Sequence, residues 1–372
     1  MAKFLTAQTF LMKYPSSAIK RGALGNAACL RACYNFFMPV NWDILGHEWA
    51  AKLLAQHIGQ GEARHAYLFA GPPGVGRRTL ALRFAQALNC PSPLAPGEPC
   101  RTCRTCQQIE RQQHADLTVV QSEQEGATLK VDQVRELQRT LSLAPFQSRY
   151  RIALLLRFQE ANANSQNALL KTLEEAPERA ILLLTADTPE SLLPTISSRC
   201  EVLRLRPLSV ETLAEALHER WGQSPEQAAR LAHLANGRTG YARRMADDAT
   251  LVDRRTGWLD DLQMLLKAPL RQRFSYAERV TRNREKNALL LPEQYRTWLS
   301  YWRDTLLAAA GAEAPLTNLD QEVEIRRLAE QVGLEEARTR TAALEHALGQ
   351  LDSNVNPRLL TEVLLLDWPL IR

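Results

Sequence analysis

The sequence predicts an α/β protein built on a parallel sheet and continued by two all-helical parts, and three observations carry that prediction. First, apolar strand signals alternate with helical patterns. The strands fall at Ala66 to Ala70 (AYLFA), Leu117 to Val120 (LTVV), Ile152 to Leu156 (IALLL), Ile181 to Thr185 (ILLLT) and Val202 to Leu205 (VLRL). Strands apolar on both faces and joined by helices form a parallel sheet that is covered on both sides. Second, the first strand runs into a glycine-rich turn and then a helix. Third, strand signals stop at Pro207 and only helical periodicity follows.

In chain order, residues 1 to 37 hold Lys3, Lys13, Lys20, Arg21 and Arg31 and no acid. Those five cations equal the formal net charge of +5 over 372 residues, so the remainder is neutral. A neutral body argues against gripping nucleic acid by bulk charge and leaves local patches open. The leader has transit-peptide composition. Met38, followed by PVNWDILGHEWA, also reads as the natural start of a folded domain, which would make the first 37 residues a disordered, over-long start. No apolar run approaches a membrane span. Trp42 to Ile58 then places Ile44, Leu45, Trp49, Leu53, Leu54 and Ile58 on one helical stripe.

The turn GPPGVGRRT, Gly71 to Thr79, has the outline of the phosphate-binding pattern GxxxxGK[ST]. In that pattern glycines let backbone N–H groups wrap the phosphates, a lysine neutralises them and a hydroxyl holds magnesium. Gly71, Gly74 and Gly76 keep the first feature. Arg77 stands at the lysine position, cationic but forked and bulkier. Arg78 stands at the hydroxyl position; a guanidinium has only donors and cannot ligate a cation. Thr79 comes one residue late. The strand before the turn and the helical pattern from Leu80 to Leu88 favour a decayed nucleotide site over an ordinary glycine turn.

Cysteines number seven. Cys29 and Cys33 lie in the leader and Cys200 stands alone. Cys90, Cys100, Cys103 and Cys106 follow C-x9-C-x2-C-x2-C, a set that can surround one Zn²⁺ tetrahedrally. The intervening Pro91, Pro93, Pro96, Gly97 and Pro99 make the stretch irregular, so a metal would supply its order. An iron–sulfur cluster is the rival. No trailing Cys-Pro supports it. The usage fits a reducing, intracellular compartment rather than a secreted disulfide framework.

Helical patterns at Val131 to Leu141 and Asn162 to Glu175 complete the α/β part. Val210, Leu213, Leu217 and Trp221 open a small helical unit to about Asp248, with Ser224-Pro225 as a cap and first-turn proline. From Leu251 the chain reads as helices over Trp258 to Leu266, Glu293 to Ala310, Glu322 to Val332, Ala337 to Leu351 and Pro357 to Leu366.

The segments NALLKTLEE (167 to 175) and ISSRC (196 to 200), the loop, the cysteines and a late NxNxRLxxExLLL pattern from Asn354 to Leu366 together resemble bacterial clamp-loader AAA+ proteins, in particular the delta-prime family of DNA polymerase III. The resemblance covers nearly everything after Met38. It implies an AAA+ P-loop parallel sheet over 38–206 with a zinc insert at 90–106, a helical lid over 207–248 and an all-α collar domain over 249–372. Motor subunits keep an aspartate-glutamate pair after the third strand, and here those places fall on Leu156 and Arg157. Their lid arginine, which senses phosphate, falls on Gly240. No intrinsic ATP hydrolysis is therefore expected.

Arg199 keeps the family's arginine-finger position, reaching the γ-phosphate held by a neighbour; the plainer reading is a solvated arginine at a helix end. Leu169, Leu170 and Leu173 would face the sheet, with Lys171, Glu174 and Glu175 solvated. The implied partners are gamma/tau motor subunits, the delta subunit, the sliding clamp and primed DNA, in a cytoplasmic hetero-oligomer. An active gamma/tau-type ATPase and a zinc-containing nucleic-acid-binding protein remain alternatives.

Overall fold

The computed structural model of the chain describes residues 41–123, 126–282, 284–351 and 355–371, with the backbone alone at 284–289. The leader, with Cys29 and Cys33, and Asn354 of the late pattern lie outside the described residues. Helix α1, Glu48–Gln60, leads into strand β1, Ala66–Ala70. Helix α2, Arg77–Asn89, follows the glycine turn, and α3, Arg104–Glu110, grows out of the cysteine module. Then come β2 (Leu117–Val120), α4 (Val131–Leu141), β3 (Arg151–Leu155), α5 (Ala163–Glu174), β4 (Ala180–Ala186), the short α6 (Pro194–Ser197) and β5 (Glu201–Arg204).

The five strands form one parallel sheet in the order β2-β3-β4-β1-β5. Strand residues alternate between the faces. Ala66, Leu68 and Ala70 join Ala153, Leu155, Leu182 and Leu184 under Val134, Leu137, Leu169 and Leu173 of α4 and α5. Burying each of these large apolar side chains contributes about 1.5–3 kcal/mol. On the other face Tyr67 meets Phe84 of α2 edge-on, centroids 4.7 Å apart. The result is the parallel sheet, covered on both faces, that the alternation predicted.

The register decides where the functional segments emerge. Ala70 of β1 pairs with Ala186 of β4, and the Gly71 N–H donates to the Ala186 carbonyl at 3.2 Å. The glycine turn and the segment after β4 therefore leave the carboxyl edge of the sheet side by side, where ligands bind in open α/β sheets.

Three further helices, α7 (Val210–Trp221), α8 (Pro225–Ala235) and α9 (Thr239–Asp247), bury Leu213, Leu217, Ala232, Ala235, Ala242 and Met245 together. Ser209 and Ser224 cap α7 and α8 through their hydroxyls, with Pro225 in the first turn of α8. The rest is α10 (Ala249–Lys267), α11 (Leu270–Thr281), α12 (Arg284–Ala309), α13 (Glu322–Leu351) and α14 (Pro357–Leu366). Its core is aromatic: Tyr295, Trp298, Trp302 and Trp368 are buried, and Trp298 meets Trp368 at 5.0 Å. Buried Arg273 donates to the carbonyls of Leu365 and Trp368 at 3.0 and 2.6 Å, tying the chain end to α11. Among the described residues, no helix is long and apolar enough to cross a membrane.

Several expectations need correction. The first stripe is displaced: α1 buries Ala50, Ala51, Leu54 and Ala55, while Trp49 is half exposed. Small residues let α1 lie close to α2, and alanines carry little weight in an apolar pattern. Helix α11 has no apolar stripe to announce it, because its sequence RQRFSYAERV is dominated by polar residues. Helix α12 begins ahead of Glu293 and carries Pro292 inside it. The two helices expected at Glu322 to Val332 and Ala337 to Leu351 are borne out, because α13 is broken at Gly333, whose φ of +72° and ψ of 177° are not helical.

Candidate functional site

At the glycine turn, Gly74 and Gly76 have φ of +83° and +115°, conformations that side chains rarely adopt. A Cβ on Gly74 would lie 2.8 Å from Tyr241 Cβ, because α9 sits directly on the turn. The N–H groups of Gly240 and Tyr241 donate to the Gly74 carbonyl at 2.8 and 3.2 Å. A Cβ on Gly240 would approach that carbonyl oxygen to 2.9 Å, so its small size is what permits the contact. His47, just ahead of α1, braces the other side, its Nε2 lying 3.0 Å from the Val75 carbonyl oxygen.

Arg77 is 8% exposed, and its Nη1 lies 2.7 Å from Asp187 Oδ1. Gln159 donates to the same oxygen at 3.1 Å. Arg78 points elsewhere: in the amide orientation that satisfies both atoms of Gln112, its oxygen accepts from Arg78 Nε and Nη2 at 3.0 and 3.1 Å. Thr79 is exposed on the first turn of α2. Leu156 is buried, and the guanidinium of Arg157 donates to Glu160 and Ser122 at 2.9 and 3.1 Å. None of these places presents a carboxylate to a divalent cation.

The four cysteine sulfurs all lie within 4.8 Å of one another. Cys90 Sγ is 3.5 Å from Cys100 Sγ, and Cys100 Sγ is 4.0 Å from Cys106 Sγ. Zn–S bonds of about 2.3 Å in a tetrahedron put sulfurs about 3.8 Å apart, so the cluster has the size of a metal site. Backbone N–H groups turn into it, from Cys103 to Cys100 and from Cys106 to Cys103, each at 3.4 Å. Burial pushes the Cys100 thiol up, but the backbone N–H groups of Cys103 and Thr102 and its sulfur neighbours outweigh it and bring it down to about 6. Burial pushes the Cys90 and Cys106 thiols up. A divalent cation is what allows all four to ionise together. The module is anchored through Trp42, whose Nε1 donates to the Gly97 carbonyl at 3.0 Å.

Arg199 lies just after α6, on the surface. Its Nη2 meets Glu174 Oε1 at 2.7 Å and its Nη1 donates to the Thr195 carbonyl at 3.0 Å. Beside it Cys200 packs against the sheet core, and burial pushes its thiol up to about 12. Leu169 and Leu173 are buried, Leu170 is half-buried, and Lys171, Glu174 and Glu175 are exposed. In the late pattern, Asn356 caps α14 by accepting the Arg358 N–H at 3.0 Å, with Pro357 in the first turn; the motif is a helix start.

Asp187, Gln159, Gln112 and His47 went unremarked in the sequence. Asp187 directly follows strand β4, but only the strand order brings that end beside the loop.

Family models described as the DNA polymerase III delta subunit and its C-terminal part match residues 46–209 and 280–369. The delta-prime subunit of Pseudomonas aeruginosa is 30% identical over 342 residues, covering 87% of this chain and 97% of that protein. The tau subunit of Escherichia coli is 33% identical over 238 residues, covering 60% of this chain; the match takes in only 36% of tau. A gamma-subunit-related structure from Thermotoga maritima, 16% identical, covers 85% of this chain and 97% of its own with a TM-score of 0.37. A relative matched over almost its whole length, with two family models reaching from the first helix to the last, places the chain in the delta-prime family of DNA polymerase III.

Proposed function

We propose that this chain is a non-hydrolysing subunit of the clamp loader, which gives Arg199 in trans to ATP held by a gamma/tau-type neighbour while the assembly places a sliding clamp on primed DNA. The observation that carries this reading is the contrast in where the arginines go. Arg77 is spent on Asp187 and Arg78 on Gln112, whereas Arg199 stands at the surface, held by the exposed Glu174 carboxylate and the Thr195 carbonyl of its own helix. Leu156, Arg157 and Gly240 add that neither the magnesium acids nor the phosphate-sensing arginine of a motor subunit is present. The likeness to tau favours an active ATPase, and these same residues oppose it.

In this reading the AAA+ core spans 38–206, the lid 207–248 and the collar 249–372, and the protein works in the cytoplasm beside the delta subunit. Gly71, Gly74, Gly76, Arg77 and Thr79 are the remains of a nucleotide loop. Cys90, Cys100, Cys103 and Cys106 hold a structural Zn²⁺. Metal analysis of the purified chain is expected to return one zinc per molecule, and chelation to lower its thermal midpoint; a brown protein with visible absorption would point to iron instead.

The functional test is reconstitution with a gamma/tau-type subunit. The expected result is a stable complex whose ATP turnover exceeds that of the motor subunit alone, with none from this chain by itself. A monodisperse DNA binder that leaves turnover unchanged contradicts the proposal.

A further inference from the structure

A cation at the lysine position of a phosphate loop is ordinarily satisfied by the nucleotide. Here it is satisfied from within. Arg77 opens α2 behind Gly76, and Asp187 is the first residue beyond β4, the neighbour of β1 in the sheet. The Ala70–Ala186 pairing brings the two segments together, and the ion pair closes at 2.7 Å with the arginine side chain 9% and the aspartate 35% exposed. On the opposite side of the turn, α9 donates two N–H groups to the Gly74 carbonyl through a contact only glycine at 240 allows.

We propose that Asp187 is an internal counter-anion: its carboxylate neutralises the phosphate-site guanidinium and, with the lid contact on Gly74, holds the loop closed without nucleotide. This rests on the reading that the loop no longer serves ATP, and it adds what replaced ATP. The chemistry has a direct corollary. Removing the carboxylate leaves a largely buried guanidinium at a helix N-terminus, among backbone N–H groups, and that combination takes up oxyanions. The site is thus a latent polyphosphate site kept shut by one side chain.

The test is calorimetric titration of inorganic tripolyphosphate, without Mg²⁺, into the full chain and its Asp187→Asn, Asp187→Ala and Arg77→Ala/Asp187→Ala variants. Asp187→Asn keeps the shape and guards against a folding defect in Asp187→Ala. Both single variants are expected to bind at least about 10-fold more tightly than the unaltered chain, the value of one charge-assisted contact, and the double variant to lose that gain. Thermal midpoints supply a second readout. The charge exchange Arg77→Asp/Asp187→Arg is expected to recover most of the midpoint lost by Arg77→Asp alone. Absence of any gain in a folded Asp187→Asn chain, or no recovery on exchange, overturns the counter-anion. Tight tripolyphosphate binding by the unaltered chain overturns it together with the nucleotide-free reading. A failure of Arg199 to act in trans would leave these curves untouched.

Discussion

Two arginine–carboxylate pairs in this chain have the same length and different meanings. Arg77–Asp187 and Arg199–Glu174 both close at 2.7 Å. The first arginine is 9% exposed, inside a turn gripped by α9 and His47; the second is 37% exposed against a glutamate that is 51% exposed. Contact distance alone would rank them equal, but burial separates them. A pair withdrawn from water leaves an uncompensated charge when broken, whereas an exposed pair is worth little and is easily exchanged. The sealed pair holds its turn in place, and the open pair leaves an arginine that can exchange its partner at little cost.

A third contact extends the comparison to full burial and carries the largest expected effect on stability. Asp116 has no exposed surface; it accepts backbone N–H groups from Phe146, Gln147 and Ser148 at 2.6, 2.9 and 2.9 Å, with Arg151 at 3.9 Å. Asp116→Ala is expected to cost about 3 kcal/mol in urea unfolding, because three backbone donors lose their acceptor and a buried guanidinium loses the negative charge beside it. Burial alone would push the Asp116 carboxyl up, but the three N–H donors outweigh it and hold it below the ordinary value. Its contribution is therefore present above the unfolded pKa of about 4 and fades as pH falls through the lower folded value. The gap between parent and variant should narrow in acid; a gap that widens there would contradict the assignment.

Arg77→Ala should have an intermediate effect, about 1–2 kcal/mol, since Asp187 is partly hydrated and needs less compensation when left alone. A loss within experimental error would break the comparison, making the sealed pair no different from a surface one. Glu174→Ala should have the smallest effect, within about 0.5 kcal/mol, and should not lower ATP turnover in the assembled complex. A marked loss of turnover would mean that Glu174 positions Arg199 rather than merely parking it.

The same contrast explains what was legible in the sequence. Strands β1 and β2 fall where their apolar runs placed them, β3 and β5 start one residue earlier and β4 is one residue longer at each end, because continuous apolar segments have few other ways to bury both faces. The cysteines assemble because their spacing is local. Asp187 could not be read as the partner of Arg77, since the two are 110 positions apart and meet only through the strand order. Nor could the lid contact: glycine at 240 reads as the loss of an arginine, and only the structure gives it a role of its own, the close approach of α9 to Gly74. Helix α11 stayed hidden because its buried positions, Arg273, Tyr276 and Ala277, include an arginine that satisfies carbonyls.

We propose that this chain's own loop is out of use while its surface arginine serves a neighbour. The most direct measurement is ATP turnover by the reconstituted complex carrying Arg199→Ala or Arg77→Ala, each checked for intact assembly. Arg199→Ala is expected to slow turnover by about 10³-fold, as removal of an arginine finger does, while Arg77→Ala is expected to leave turnover within about twofold of the parent complex. The reverse pattern, loss with Arg77→Ala and parent turnover with Arg199→Ala, would contradict it.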